Sequence, residues 1–481
     1  MIKDGLYNLV GAIFRMGVTV ATIPLLIRLI GLEEYGVWTI VYTVIAIVTL
    51  AEAGLSVSTT FFLSRDIADQ NEDSISQTLT VSFCAMIILA SLAALLLCLG
   101  ADYLVYLFPK LTESQHQTIV PAFRLAALVV WAKMLQRICV GIEQAYQCYG
   151  LFNLVSTLQV GVVNLGMVGV AYAKGMTLEL MQWQIVTNLL FLLIHSVISF
   201  RLIQSVRLNF IWNHERCIEI FRYSLMTWLT SIGSTLFTQG DKLIVGSILS
   251  PSMLGVYAAI TSITAQINAL SALSVQPLLP QLSRLLQSAQ FKTRELIKTI
   301  RQAAHINAGV SVGLGGGLLM LAPFVLKLLL PGVDISTYLG EFYAAIIIYT
   351  LYSLNAVGYY ILFSTDNVNF CLKTQIFSGL TSLILITLGA NTFGLWGAIL
   401  GNAAYNCIWL LTYKAMFTLN ISISLWVRWF AFAGFWFGLI SALAFLLPNS
   451  LYLRLVVVVI HTLVLLYWFY THSHLNFKFA S

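Results

Sequence analysis

The chain has 481 residues, of which 59% are hydrophobic and only 9% are charged, and its mean hydropathy is +0.88. Soluble domains carry about 25% charged residues, so this composition excludes a water-soluble globular protein and indicates an integral membrane protein. The net charge of +6 says little until the positions of the charges are considered. The seven cysteines are scattered singly without a CxxC or Cys/His cluster, so we expect no disulfide framework, no metal site and no cofactor.

Apolar runs of about 20 residues, long enough to cross about 30 Å of hydrocarbon, recur along the whole chain. A span must satisfy its own backbone hydrogen bonds in lipid, and short alternating strands are not seen, so each run is predicted to be a helix. The first run is read as an uncleaved span, because it is long, carries Arg15 and lacks a cleavage site. In chain order the fourteen predicted spans are 7–30, 37–63, 77–100, 119–146, 152–173, 178–202, 220–248, 254–283, 303–330, 340–363, 370–391, 394–416, 424–447 and 450–471.

The distribution of lysine and arginine predicts the orientation of the chain. With the N-terminus inside, fifteen of these residues fall on the inner side of the membrane, and the outer side holds only Arg28, Lys110, Lys174, Lys327 and Arg454. Cytoplasmic loops carry an excess of positive residues. We therefore expect a multi-pass membrane protein with both termini in the cytoplasm.

The sequence contains an internal repeat with an offset of 219 residues. Residues 36–65 align without gaps on residues 255–284, and both segments begin Gly-Val-aromatic and end Leu-Ser-Arg. The offset joins spans 1–2 to spans 7–8, so each repeat holds six spans and both repeats have the same orientation. Parallel repeats of this kind enclose a cavity near the membrane midplane and suit alternating access. We predict two parallel-related six-helix bundles around a central cavity (1–202 and 220–416), a cytoplasmic linker (203–219), and a C-terminal segment of two peripheral transmembrane helices and a cytoplasmic tail (417–481).

Polar residues follow the repeat along helix faces. In the seventh span they step by three or four residues and form one stripe, made of Thr227, Ser231, Ser234, Thr238 and Asp241. Arg15 and Thr19 in the first span are the images of Ser234 and Thr238. In the second span Tyr42, Thr49 and Glu52 share a face, and Asn268 is the image of Thr49.

Several charges fall at bilayer depth, namely Arg15, Glu52, Lys133, Arg137, Glu143, Asp241 and Lys242. Such a charge costs at least about 2.5–3.5 kcal/mol on insertion scales, so it usually faces protein or a water-filled cavity. Lys133 and Arg137 are four residues apart on one helix face, where like charges repel unless an anionic group lies beside them. Ordinary structural roles stay open for these residues: Lys133 pairing with Glu52, Lys242 extending to the interface, or Arg137 and Glu143 lying near the inner surface.

A basic cavity flanked by hydroxyls and amides suits an anionic headgroup that bears many hydroxyls, such as a phosphate- or pyrophosphate-linked sugar. The candidate substrate-binding residues are Arg15, Lys133, Arg137, Lys242, Thr19 and Asn268. The candidate cavity carboxylates, or sites for a coupling proton or sodium ion, are Glu52, Asp241 and Glu143. The histidines are dispersed, and no phosphate loop, nucleotide fingerprint or nucleophile elbow occurs, so we expect no catalytic residues, no enzyme activity and no direct use of ATP.

Five stretches of the sequence resemble one family of transporters. PLLIRLIGLEEYGVW (24–38) and EAGLSVSTTFFLSR (52–65) resemble the opening of bacterial polysaccharide flippases, the O-antigen-type lipid-linked oligosaccharide translocases of the multidrug/oligosaccharidyl-lipid/polysaccharide exporter superfamily. QGDKLIVGSILSPSMLGVYAA (239–259) is similar to the start of the second half of those proteins. APFVLKLLLPG (322–332) and FGLWGAILGNA (393–403) resemble their later spans.

The resemblance implies a basic cavity that holds Arg15, Arg137 and Lys242. It also implies alternating access that carries an undecaprenyl-pyrophosphate-linked oligosaccharide from the inner to the outer leaflet, for the biosynthesis and export of polysaccharide such as the O-antigen of lipopolysaccharide. Glu52 stands where the family has aspartate in a D-x-G-L motif. Two spans, 424–471, exceed the twelve-span core.

Alternatives within the superfamily are a peptidoglycan-precursor flippase, which also has fourteen spans, and a cation-coupled multidrug exporter. A membrane glycosyltransferase or polymerase is disfavoured because no loop is long enough to hold a catalytic site. The expected partners are the lipid-linked oligosaccharide, membrane lipids, a coupling proton or sodium ion, and the polysaccharide polymerase machinery. No nucleic-acid partner is expected.

Overall fold

The computed structural model describes residues 2–204, 209–287, 293–365 and 367–473. Within these ranges the chain is helical and contains no strand, so the predicted all-α membrane fold is confirmed. The helices are α1 (Ile2–Ile30), α2 (Leu32–Val48), α3 (Leu55–Ala68), α4 (Glu72–Leu104), α5 (Glu113–Ala145), α6 (Tyr149–Tyr172), α7 (Thr177–Ile203), α8 (His214–Thr235), α9 (Asp241–Ile248), α10 (Pro251–Val275), α11 (Leu278–Gln287), α12 (Thr293–Leu329), α13 (Leu339–Ser353), α14 (Ala356–Ser364), α15 (Val368–Gly401), α16 (Trp409–Thr418), α17 (Ile423–Leu446) and α18 (Leu451–Ser473).

Twelve helical stretches among the described residues are long and apolar enough to cross a membrane. One of them, Val368–Thr418, is 51 residues long and turns back at Gly394, whose φ of 60° lies in the left-handed region that favours glycine. It therefore corresponds to two predicted spans. The predicted span 220–248 is too polar to be included among the twelve, and it consists of the end of α8, a π-helical turn and α9. With these two additions the number of spans agrees with the fourteen predicted.

The second predicted span is broken in the middle. It is α2, a 3₁₀ turn at Thr49–Glu52, and α3, with Ala53 and Gly54 both at positive φ. Gly54 is also the point where α8 comes closest, since a Cβ there would lie 2.2 Å from the hydroxyl oxygen of Thr227. The break places the carboxylate of Glu52 at a helix end inside the protein.

The described chain forms two compact units, Met1–Ala258 (unit 1) and Ala259–Ser481 (unit 2). The division falls after the linker predicted at 203–219, because α8 packs against α3 and α9 packs against α2. The two six-helix bundles stay a prediction. They were predicted from the sequence repeat, whereas the two units are defined by which residues contact each other. Residues 205–208 of the linker and 474–481 of the tail lie outside the described residues.

Helices α17 and α18, the two spans beyond the twelve-span core, pack on α12 in unit 2. Arg454 on α18 is 1% exposed. Its guanidinium donates six hydrogen bonds at 2.8–3.2 Å, to Pro448 O, Met320 O, Tyr343 Oη, Ala444 O, Leu447 O and Asn449 Oδ1. Four of the acceptors belong to the end of α17 and the turn after it. One buried cation thus satisfies the carbonyls at the end of α17.

Replacing Arg454 with Met should lower the free energy of unfolding by at least about 3 kcal/mol, because several buried acceptors then lose their donor at about 1–3 kcal/mol each. The measurement is thermal unfolding of the purified protein in detergent. Arg428→Met is the matched control, since Arg428 is an exposed arginine of α17. Equal melting temperatures for the two variants would contradict this role of Arg454.

Candidate functional site

Unit 1 contains a cavity of about 390 Å³, which we call the charged cavity. Helices α2, α5, α6 and α7 and the segment between α8 and α9 form its walls. Its lining residues are Tyr42, Ile45, Ala46, Thr49, Lys133, Gln136, Arg137, Val140, Gln159, Asn188, Thr235, Thr238 and Gln239. Two cations, four amides and four hydroxyl groups therefore surround one space.

Two of the predicted substrate-binding residues, Lys133 and Arg137, meet in the charged cavity. Arg137 Nη1 lies 2.5 Å from Glu52 Oε1, and the Glu52 side chain is 8% exposed. Lys133 Nζ lies 5.6 Å from the centroid of the Tyr42 ring, and no carboxylate lies within salt-bridge distance of it among the described residues. The ion pair neutralises one cation, so the cavity keeps one excess positive charge, on Lys133.

The amides of the charged cavity are in two states. Gln136 and Gln159 bond each other reciprocally, with N–O distances of 2.7 and 3.1 Å. Asn188 Oδ1 and Gln239 Oε1 are buried and have no donor within the part of the chain that the structure describes. A buried acceptor without a donor costs about 1–3 kcal/mol, so these two atoms favour a bound group that donates hydrogen bonds.

The segment between α8 and α9 is a π-helical turn, Leu236–Gly240, which places Thr238 and Gln239 in the cavity wall. Single π turns inside helices occur often at functional sites. Asp241 follows the turn and is 2% exposed. Its carboxylate accepts hydrogen bonds from Tyr257 Oη at 3.0 Å and from the amide of Lys242 at 2.7 Å, which gives it a structural role at the start of α9.

The remaining candidates on α1 and α9 lie away from the lining of this cavity. Arg15 Nη1 donates to Thr157 Oγ1 on α6 at 2.8 Å. Thr19 is exposed and donates its hydroxyl proton to the backbone carbonyl of Arg15. Lys242 is half-buried. Of the seventh-span stripe, Thr238 reaches the cavity, and the side chains of Ser231 and Ser234 lie outside the described residues.

Glu143 is buried away from the cavity with a histidine. Its Oε1 lies 2.7 Å from Nδ1 of His195, and both side chains are 0% exposed. Glu143 Oε2 and His195 Nε2 have no partner among the described residues. The pair is therefore closed off from solvent inside unit 1.

Unit 2 contains a smaller cavity of about 170 Å³, which we call the neutral cavity. The predicted residue Asn268 lies there. Its other lining residues are Ala272, Tyr352, Asn355, Ala356, Tyr359, Tyr360, Gln375 and Ile408. None of these tyrosines and amides was predicted as a site residue, and neither were Gln136, Gln159, Asn188 and Gln239 of the charged cavity. Amides inside apolar spans are the signal that could have found them.

The family comparison matches most of the chain. Residues 25–333, more than half of the sequence, match the model of the family described as "Polysaccharide biosynthesis protein". The curated protein named "Putative O-antigen transporter", from Shigella flexneri, is 20% identical over 352 residues, which are 71% of this chain and 78% of that protein.

Solved structures show the same fold. The lipid II flippase MurJ in an inward-closed conformation superposes with a TM-score of 0.78 at 10% identity, and the match covers 98% of this chain and 99% of that one. An inward-facing multidrug resistance MATE transporter of the MOP superfamily gives a TM-score of 0.69 at 13% identity, with 88% and 99% covered. The names of these relatives describe transporters and a flippase rather than enzymes. The chain therefore belongs to the family described as "Polysaccharide biosynthesis protein", and it has the membrane fold of these flippase and transporter structures.

Proposed function

We propose that this protein is a flippase that moves an undecaprenyl-pyrophosphate-linked oligosaccharide across the bacterial inner membrane, from the inner to the outer leaflet. It works by alternating access, and its substrate is used to build polysaccharide such as the O-antigen of lipopolysaccharide. The observation that carries the proposal is the charged cavity, whose excess positive charge sits on Lys133. Pyrophosphate is an anion that a single lysine ammonium binds well, and the unpaired acceptors of Asn188 and Gln239 suit sugar hydroxyls.

The charge of the cavity separates the proposed substrate from the alternatives. A multidrug exporter of lipophilic cations would place its substrate beside Lys133 and Arg137, where like charges repel. A peptidoglycan precursor carries the same pyrophosphate, so the charged cavity suits it equally. The similarity in fold to a lipid II flippase keeps that substrate as the second candidate.

The proposal includes a coupling cation, and Glu143 is the carboxylate best suited to hold it. The pair of Glu143 and His195 is fully buried and has one unpartnered oxygen and one unpartnered nitrogen among the described residues, and neither residue lines the charged cavity. Sodium is less suited, because a hard cation prefers several oxygen ligands. Cytoplasmic termini and an association with the polysaccharide polymerase complete the proposal.

The test is a flipping assay in proteoliposomes with a fluorescent, pyrophosphate-linked N-acetylglucosamine undecaprenol, whose outer-leaflet fraction is bleached by dithionite. Lys133→Gln should slow flipping about 10–100-fold, because a charge-assisted contact contributes about 1.5–3 kcal/mol. Lys110→Gln, at an exposed lysine, is the matched control and should flip at the wild-type rate. Flipping by Lys133→Gln at the wild-type rate would refute the proposed site, and wild-type protein that does not accelerate flipping would refute the function.

A further inference from the structure

The two cavities occupy equivalent positions of the internal repeat. Thr49, in the 3₁₀ turn after α2, lines the charged cavity, and Asn268 of α10, 219 residues later, lines the neutral cavity. The same offset relates four further pairs of lining residues: Lys133 and Tyr352, Gln136 and Asn355, Arg137 and Ala356, and Val140 and Tyr359. The offset was obtained from spans 1–2 and 7–8, so its recurrence between α5 and the α13–α14 segment is independent of that alignment. The two units thus contain two copies of one ancestral cavity.

The copies differ in charge. The cations Lys133 and Arg137 correspond to Tyr352 and Ala356, and Glu52 corresponds to Ser271. No Asp, Glu, Lys, Arg or His belongs to the described lining of the neutral cavity. An anionic phosphate would find no counter-charge there, and a buried charge without a partner is costly. The unit 2 copy therefore suits an uncharged ligand.

The side chains of the neutral cavity are those that bind neutral sugars. Tyr359 and Tyr360 are half-buried and lie edge to face, with ring centroids 5.6 Å apart. Tyrosine offers a flat apolar face to the C–H side of a sugar ring and a hydroxyl at its edge. The amides of Asn268, Asn355 and Gln375 supply both donors and acceptors.

One polar side chain of this cavity, Asn355, is held in place. Asn355 is 3% exposed, its Oδ1 accepts from Thr412 Oγ1 at 3.0 Å, and its Nδ2 donates to Tyr352 O at 3.3 Å. It lies at a break between α13 and α14, and helices broken inside the membrane form the substrate sites of many transporters. A fixed site of this kind loses little entropy when it binds.

We propose that the neutral cavity is a second subsite, which binds one uncharged sugar residue. The volume of about 170 Å³ is below that of pockets for drug-sized ligands, so it suits a single ring rather than a chain. The inference deepens the proposed function and rests on it, since the proposed lipid-linked substrate carries sugar residues of this kind. The charged cavity of unit 1 thus recognises the pyrophosphate, and the neutral cavity of unit 2 recognises the sugar.

The experiment measures two ligands on the same purified, nanodisc-embedded protein. Saturation-transfer NMR measures the binding of four free sugars (glucose, galactose, a 6-deoxyhexose and N-acetylglucosamine). Calorimetry measures the binding of inorganic pyrophosphate. Tyr359→Ala and Gln375→Leu should each weaken binding of the preferred sugar about tenfold, because a stacking face or a hydrogen-bonded pair is lost. Both should bind pyrophosphate as the wild type does. Tyr413→Ala, at an exposed tyrosine of α16, is the matched control.

The outcomes separate the two proposals. Sugar binding that survives in both cavity variants, or that is lost in Lys133→Gln instead, overturns the subsite in unit 2. Absence of any sugar signal from the wild type overturns it as well. Loss of pyrophosphate binding in Lys133→Gln alone supports the charged cavity, whatever the sugar result. If Tyr359→Ala does not fold, Gln375→Leu decides the question by the same readout.

Discussion

Alanine at Gly36 or at Gly255 should lower the melting temperature of the protein, while alanine at Gly100 should leave it unchanged. A Cβ at Gly36 would lie 1.9 Å from the carbonyl oxygen of Pro251. A Cβ at Gly255 would lie 2.7 Å from the carbonyl oxygen of Leu32. Both obstacles are backbone atoms, which cannot rotate away, so α2 and α10 must separate to admit the methyl group.

The two glycine contacts are copies of one contact. Pro251 and Leu32 are 219 residues apart, as are Gly255 and Gly36, so each glycine packs on the first turn of the helix of the other repeat. Overpacking of this kind costs about 1–3 kcal/mol. The two single variants should lose similar amounts, and the double variant should lose less than their sum, because one substitution already separates the helices.

Thermal unfolding in detergent measures all four variants. Gly100 is the matched control because it lies within α4 and a Cβ there would meet no atom within 4 Å. Since Gly→Ala inside a helix is otherwise neutral or favourable, a loss at Gly36 and Gly255 reports the contact itself. Unchanged melting of either variant, or strictly additive losses, would contradict a close crossing of the two repeats.

The repeat is the part of the architecture that the sequence predicts best. The Gly-Val-aromatic segments that begin at Gly36 and Gly255 align without gaps, and the glycines are needed because two backbones touch there. Composition and the spacing of apolar runs predict the all-helical membrane fold for a similar reason, since every span must satisfy its own hydrogen bonds. Both features follow from properties of individual residues, namely the apolar side chains of a span and the missing side chain of glycine, which can be read directly from the sequence.

The pairing of charges was only partly predictable. The sequence places Lys133 and Arg137 on one face of α5, and both do line the charged cavity. The pairing suggested for Lys133 with Glu52 was wrong, because the partner of Glu52 depends on the helix break at Ala53 and Gly54, inside a span that was predicted to be continuous. The break turns the carboxylate toward Arg137.

The neutral cavity was missed because its residues are ordinary in a membrane helix. Tyr352 and Tyr359 read as apolar aromatic residues of a span, and Asn355 is a single amide. These residues stand out as a possible site only when they are compared with Lys133, Val140 and Gln136 at the same repeat positions. That comparison can be made only when the cavity in each unit is known. Arg454 is a similar case, since two of its acceptors, Met320 O and Tyr343 Oη, come from distant parts of the chain.

Arg137→Gln should destabilise the protein more than Glu52→Gln does, although the two residues form one ion pair. The Glu52 side chain is 8% exposed and the Arg137 side chain is 53% exposed. Removing Arg137 leaves a buried carboxylate without its partner, and leaving a buried acceptor unsatisfied costs about 1–3 kcal/mol, more when it is charged. Removing Glu52 leaves a cation that the cavity can still solvate, so we expect a loss of about 1 kcal/mol.

The two substitutions should have opposite effects on ligand binding. Glu52→Gln frees Arg137, so the cavity gains a second uncompensated cation and should bind inorganic pyrophosphate about tenfold more tightly, while the protein melts at a lower temperature. Arg137→Gln removes that cation and leaves an anion beside the ligand, so pyrophosphate binding should weaken. The two single variants and the double variant form a double-mutant cycle with the wild type. Calorimetry measures their pyrophosphate binding, and thermal unfolding measures their stability. Additive stability losses would show that the pair is not coupled, and weaker pyrophosphate binding by Glu52→Gln would show that Glu52 orients the cavity rather than neutralising it.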